Sequence, residues 1–260
     1  MKLTTCLPTL LLALPTLALG AIQTQVVEYK DGETLLRGYL VYDDAQQGKR
    51  PGIIVAHEWW GLNDYAKHRA KMLAELGYVA FALDMYGDEK VTGHAKEAKG
   101  WMTQITENVD AWQRRSLVGL DILKGQEQVD AEKIAAIGYC FGGATVMQMA
   151  YAGAELDGVI SFHGSLPPAT TEQQQRINAP ILVAHGEADG FIPTERIEAF
   201  KAALDAAGAD WQMVSYGGAR HAFTNPGASE YGIDNLKYDP KADTRSWALM
   251  QSFLDEIFAK

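Results

Sequence analysis

K-I-A-A-I-G-Y-C-F-G-G-A-T-V-M-Q-M-A-Y, running from Lys133 to Tyr151, decides the fold. Lys133 to Gly138 is a short apolar run that reads as a strand, and Phe141 to Tyr151 reads as a helix. Between them, Gly138-Tyr139-Cys140-Phe141-Gly142-Gly143 places small residues two before and two after a thiol. That is the pattern of a nucleophile elbow, a sharp strand-to-helix turn that lifts one side chain clear of a sheet. Glycines are required there because the backbone is strained and passes close to itself. The helix that follows aims its free amides and positive dipole end at the same point. The spacing alone arises by chance roughly 0.1 times in a chain of this length, and a free cysteine is equally at home in a core. The rest of the chain must decide between these two readings.

Outward from the turn, short apolar runs alternate with helical patterns. Ile53 to Ala56, Tyr78 to Leu83, Val159 to Phe162, Pro180 to Ala184 and Trp211 to Tyr216 read as strands. Residues 24–42 alternate as an antiparallel hairpin turning at Asp31-Gly32, and Arg50-Pro51-Gly52 reads as a loop. Helices are predicted from an Asn63-Asp64 cap to Gly77, over most of 94–124, from a Thr194 cap to Gly208, and over 244–258. Strands alternating with helices predict an α/β fold, a mainly parallel sheet with helices on both faces, as a single domain over residues 21–260. Ligands of such sheets bind beyond the carboxyl ends of the strands.

Three of those strand ends carry chemistry. Strand 180–184 leads into His185-Gly186-Glu187-Ala188-Asp189-Gly190, and strand 211–216 into Gly217-Gly218-Ala219-Arg220-His221. An elbow fold of the α/β-hydrolase kind requires the chain order nucleophile, acid, histidine. Cys140, Asp189 and His221 obey it. Asp-Gly is also a common turn pair, and His185 and Glu187 compete for the same roles. After the strand 53–56 comes His57-Glu58-Trp59-Trp60-Gly61-Leu62-Asn63. The corresponding loop supplies one oxyanion-hole amide, and the residue after the nucleophile supplies the other. The expected donors are the backbone N–H groups of Trp59 and Phe141.

The segments H-E-W-W-G-L-N, D-M-Y-G, G-Y-C-F-G-G, H-G-E-A-D and R-H-A-F-T-N-P together resemble the dienelactone hydrolase family over about residues 25–260. The resemblance implies a Cys-His-Asp triad at Cys140, His221 and Asp189, and a glutamate at Glu58 that helps form the thiolate when substrate binds. It implies hydrolysis of an ester or lactone through an acyl-cysteine, without a cofactor. Chemistry supports a role for Glu58, because a free thiol is only about 3% ionised at pH 7 and needs a proton acceptor. Members acting on dienelactone itself carry two arginines for the substrate carboxylate. Their positions here fall at about Asp88 and Asn225, neither of which can replace an arginine fork. The expected substrate is therefore another ester, lactone or thioester. Trp59, Trp60, Tyr86 and Trp101 are candidates for an apolar pocket or for ordinary core packing.

The ends and the composition set the remaining bounds. Lys2, the apolar run Leu7 to Leu19 and the small residues Ala18 and Gly20 read as a signal peptide, residues 1–20, which predicts a secreted, periplasmic protein with no membrane contact after cleavage. Loss of Lys2 takes the net charge from −10 to about −11, so nucleic acid is not an expected partner. Cys6 leaves with the signal, and Cys140 remains as a lone thiol in an oxidising compartment. The six histidines form no metal motif, so neither metal nor cofactor is expected. A monomer acting on a small molecule is the expectation. A redox-sensing or binding thiol, and a thioesterase or peptidase, stay open as alternatives.

Overall fold

The continuous apolar runs become central strands because both of their faces are covered. The computed structural model describes residues 21–259; the predicted signal peptide and Cys6 lie outside them. Eight strands form one sheet in the order β1-β2-β4-β3-β5-β6-β7-β8. They are β1 (Ile22–Asp31), β2 (Thr34–Asp43), β3 (Arg50–Ala56), β4 (Val79–Ala82), β5 (Val129–Tyr139), β6 (Gly158–Phe162), β7 (Ile181–Gly186) and β8 (Trp211–Tyr216). The β1–β2 hairpin joins antiparallel at the β4 edge, and the six strands β3 to β8 are mutually parallel.

Among the described residues, seven α-helices flank the sheet: α1 (Asp64–Glu75), α2 (Ala95–Thr106), α3 (Val109–Lys124), α4 (Phe141–Tyr151), α5 (Thr171–Gln174), α6 (Thr194–Ala207) and α7 (Pro240–Phe258). Side chains alternate across each strand, and the core divides accordingly. Ile53 and Val55 meet Leu73 of α1 and Met250 and Leu254 of α7. Ile54, Phe81 and Val159 face the other way, against α3, α4 and α6 through Leu120, Met147 and Phe200. The molecule is a single α/β domain, as the alternation of elements requires.

Four local expectations are corrected. Arg50-Pro51-Gly52 opens β3 instead of forming a loop, because Pro51 sits at a register shift opposite β5, where its missing N–H leaves no bond unmade. The helical stretch 94–124 is two helices, and Asn108 caps the second by accepting from Ala111 N–H at 3.0 Å. Thr194 is the first helical residue and not the cap: the Pro193 carbonyl already accepts from the amides of Arg196 and Ile197. The last helix begins at Pro240, where Asp239 caps two amides and a proline fits the first turn.

Candidate active site

β5 feeds α4 through Cys140 in a conformation that side chains other than glycine rarely adopt, φ 56° and ψ −115°. Such a backbone persists only where its surroundings enforce it. Here they do. The Cys140 N–H donates to the Phe162 carbonyl of β6 at 3.0 Å. A Cβ at Gly138 would run into the Gly142 carbonyl, and one at Gly142 into the Ala56 carbonyl. Elbow, β3 and α4 therefore touch backbone to backbone. Cys140 is half-buried at the mouth of α4, and Phe141 is the first helical residue, so its amide has no acceptor within the helix.

His221 follows β8 and is buried. Its Nδ1 lies 2.7 Å from Asp189 Oδ2. The other oxygen of Asp189 accepts from Phe191 N–H at 2.9 Å and faces Asn235 Nδ2 at 3.4 Å. Burial disfavours the protonated ring of His221, but the Cys140 sulfur and the Asp189 carboxylate overcome it and push the imidazole up to about 10. Burial likewise opposes the Asp189 charge, and the hydrogen bond from His221 outweighs it and holds the carboxyl below its usual range. Neither His185, at the end of β7, nor the exposed Glu187 lines the cavity beside Cys140, whereas His221 does and is paired with Asp189.

Glu58 is buried beside this pair. Its Oε2 accepts from Asn225 Nδ2 at 2.7 Å. Burial pushes the carboxyl up to about 7, against the opposing pull of Asn225, His221 and Arg69. The segment 221–225 that carries both His221 and Asn225 is itself anchored from below. Arg69, buried on α1, donates to the Thr224 carbonyl and to Asp243 of α7 at 2.6 Å. The Thr224 hydroxyl meets Tyr65 Oη at 2.5 Å and His163 Nε2 at 2.7 Å.

One cavity of about 200 Å³ joins these groups, lined by Glu58, Trp59, Cys140 and His221 together with Met102, Phe191, Ile192 and Leu236. The surface is overwhelmingly apolar, and Arg196 at its edge is the one lysine or arginine in the lining among the described residues. The arrangement offers a thiol, an acid–base pair, a buried carboxyl near neutrality and free amides around one small apolar space. That is equipment for acyl transfer.

The Dienelactone hydrolase family profile matches residues 36–258. The chain belongs to the dienelactone hydrolase family. It is a hydrolase of that type, and its relatives agree. "Protein usf" of Aquifex pyrophilus is 30% identical over 240 residues, covering 89% of this chain and 98% of the relative. A protein of Aquifex aeolicus (strain VF5), provisionally named a carboxymethylenebutenolidase, is 28% identical over 88% of this chain and 96% of its own. A crystal structure named as the dienelactone hydrolase-like promiscuous phosphotriesterase P91, from metagenomic libraries, is 39% identical and superposes with a TM-score of 0.89, covering 92% of this chain and 99% of that one.

Against that family background the pocket differs from the sequence expectation. Trp59 lines the cavity, but Trp60, Tyr86 and Trp101 do not. Trp60 is buried and stacks on Tyr231 at 3.8 Å. Tyr86 lies beneath the site, its ring on Phe141 and its hydroxyl donating to the Trp59 carbonyl at 3.0 Å. Trp101 lines a neighbouring cleft with Tyr86 and Arg115. Asp88, at one of the two expected arginine positions, is exposed and outside the cavity lining. Arg220 turns away to Asp234 at 2.9 Å. Asn225, read only as a missing arginine, holds Glu58. Sequence reading also passed over Phe191, Met102 and Leu236, which reach the cavity from loops and a helix with no motif of their own. The T-N that follows R-H-A-F was the available signal for Thr224 and Asn225.

Proposed function

We propose that this enzyme hydrolyses a neutral carboxylic ester or lactone with an apolar acyl group, through an acyl-cysteine at Cys140. The observation that carries the reading is the apolar cavity in whose wall Cys140, His221 and Glu58 meet. Glu58, near neutrality, accepts the thiol proton. The thiolate attacks the carbonyl carbon, a C–S bond forms, and the oxyanion is held by the Phe141 and Trp59 amides. Collapse breaks the ester C–O bond, and the leaving oxygen takes a proton from the His221 imidazolium. Neutral His221, oriented by Asp189, then removes a proton from water, which attacks the acyl carbon. The C–S bond breaks, the acid leaves, and the proton on Glu58 returns to Cys140.

The test is turnover of p-nitrophenyl esters, lactones, thioesters and amides, with Cys140→Ala and His221→Ala as controls. Ester or lactone turnover should fall at least about a thousandfold in both variants, and intact-mass analysis should catch an acylated Cys140. Folded protein inert toward the whole panel, forming only a stable sulfenic acid under peroxide, overturns the reading in favour of a redox thiol.

A second substrate class has its own support. The 39%-identical structure carries the name of a promiscuous phosphotriesterase, and a cation-poor apolar cavity suits an uncharged triester better than an anion. The same thiolate would then attack phosphorus and expel an aryloxide. A dialkyl p-nitrophenyl phosphate added to the panel tests it, with no Cys140-dependent p-nitrophenol release as the refuting result. We also propose export through the predicted signal in residues 1–20; a secreted fraction whose N-terminus begins at Ala21 is the expected finding.

A further inference from the structure

The buried imidazole of His57 has no place in the mechanism above, yet it touches both halves of the expected oxyanion hole. The ring is fully buried. Its Nε2 accepts from the Met85 N–H at 3.2 Å, just after β4. A nitrogen that accepts carries no proton, so the hydrogen sits on Nδ1. Nδ1 lies 2.5 Å from the Glu58 carbonyl oxygen and donates to it. The Gly61 N–H donates to that same carbonyl at 3.2 Å.

The carbonyl belongs to the peptide whose N–H is that of Trp59. In a trans peptide the two groups point in opposite directions, and no cis bond occurs among the described residues. Two donors holding the Glu58 carbonyl on one side therefore aim the Trp59 N–H to the other. The next peptide is held as well, by the Tyr86 hydroxyl on the Trp59 carbonyl at 3.0 Å. The His57 ring also packs edge-on against Tyr86, with centroids 5.0 Å apart, and lies 5.9 Å from Phe141, the residue of the second expected donor. Trp112 closes the stack on Phe141 at 5.5 Å. A donor pulling on a peptide oxygen also strengthens the N–H of that peptide through hydrogen-bond cooperativity.

We propose that His57 is the positioning residue of the oxyanion hole: fixed by Met85 as the Nδ1–H tautomer, it orients and polarises the Glu58–Trp59 peptide so that Trp59 N–H meets the developing oxyanion. His57 touches no reacting atom, and the idea rests on the acyl-cysteine reading with Trp59 as donor. Burial pulls the ring below its ordinary histidine range, which keeps it neutral while substrate turns over.

The experiment uses the full-length enzyme and two readouts. Ester turnover needs an oxyanion hole. Alkylation of Cys140 by iodoacetamide, a displacement at saturated carbon, forms no oxyanion and reports only the thiol and its bases. Both readouts are taken on the folded fraction recovered by size exclusion, because iodoacetamide also alkylates the thiol of misfolded chains. His57→Phe keeps the packing and removes both hydrogen bonds. Its kcat per titrated site should fall on the order of 10²-fold, with KM and the alkylation rate within about twofold of wild type. His57→Gln can accept from Met85 and donate to Glu58, and should recover most of the loss. Replacing Trp59 by its α-hydroxy analogue, which exchanges the N–H for oxygen, should cost at least as much as His57→Phe. If that exchange costs nothing, Trp59 is not the donor and the underlying reading fails. If it costs kcat but His57→Phe does not, or if His57→Phe slows alkylation equally, the positioning role of His57 is wrong.

Discussion

Replacing Asn225 by leucine removes the amide that donates to Glu58 Oε2 at 2.7 Å. The carboxylate then loses a hydrogen bond to a charged group, worth about 1.5–3 kcal/mol in a buried setting. At about 1.36 kcal/mol per pKa unit, that raises the carboxyl by about one to two units. In the wild type burial has already brought it up to about 7, so in the variant the midpoint should lie near 8 to 9. If Glu58 must be ionised to take the thiol proton, kcat/KM rises with pH through that midpoint. At pH 7 the ionised fraction drops from about one half to between a tenth and a hundredth, a loss of roughly 5- to 50-fold. The loss should vanish by about pH 9.5. The assay is kcat/KM for a p-nitrophenyl ester from pH 5.5 to 9.5, corrected for spontaneous hydrolysis and normalised to titrated Cys140. Thermal melts check folding, since Asn225 Oδ1 also accepts from Gly227 N–H. An unshifted midpoint in the folded variant refutes the argument. So does a uniform loss at every pH, which would mean that Asn225 acts on geometry and not on the charge of Glu58.

Three further outcomes follow from the same geometry. Glu58→Gln should abolish most activity and yet stabilise the fold at pH 8: the folded carboxyl titrates at about 7 against 4.5 for the free group, so protonation favours the folded state, and that advantage is lost as pH rises from 4.5 through 7. The wild type thus carries a penalty of about 3 kcal/mol above neutrality, and the Gln variant should melt on the order of 5–10 °C higher at pH 8 but not at pH 4.5; equal melting points at pH 8 count against it. Phe191→Ala should raise KM for apolar esters several-fold by opening the cavity wall, whereas Trp101→Ala should leave KM within about twofold; the reverse pattern would restore the sequence-based pocket. Arg69→Met strands Asp243 and the Thr224 carbonyl, whose partner it is, and should cost about 3–5 kcal/mol in chemical denaturation; a loss below about 1 kcal/mol would show that the 221–225 segment holds itself.

Local spacing was enough to predict the strand-to-helix turn at Cys140 and the helix Phe141–Tyr151, because each depends on neighbours in the chain. An elbow needs small residues at fixed offsets, and a buried parallel strand needs an unbroken apolar run. Those signals survive in one dimension. Choosing Asp189 over Glu187, and His221 over His185, required the fold. The rejected pair lies nearer a strand end, each one residue from Gly186 at the end of β7, and the 2.7 Å contact between Asp189 and His221 separates the two pairs. Which aromatic residues line a pocket and which pack in the core was left open for the same reason. Trp60 and Tyr86 have the composition of a lining, but the turn of the loop after β3 sends Trp60 onto Tyr231 and leaves Tyr86 beneath Phe141.

The sequence by itself determined the fold class and the local geometry: a thiol on a strand-to-helix turn, with an acid and a histidine downstream in an order an α/β sheet can bring together. Tertiary structure alone decided how that thiol is surrounded. Residues 167 positions apart, Glu58 and Asn225, meet because β3 lies at the middle of the sheet and the segment after β8 folds back over its end. The burial that lifts Glu58 to about 7 is a property of everything packed around it. Spacing along a chain encodes local geometry, but desolvation and long-range hydrogen bonds exist only once the sheet has closed.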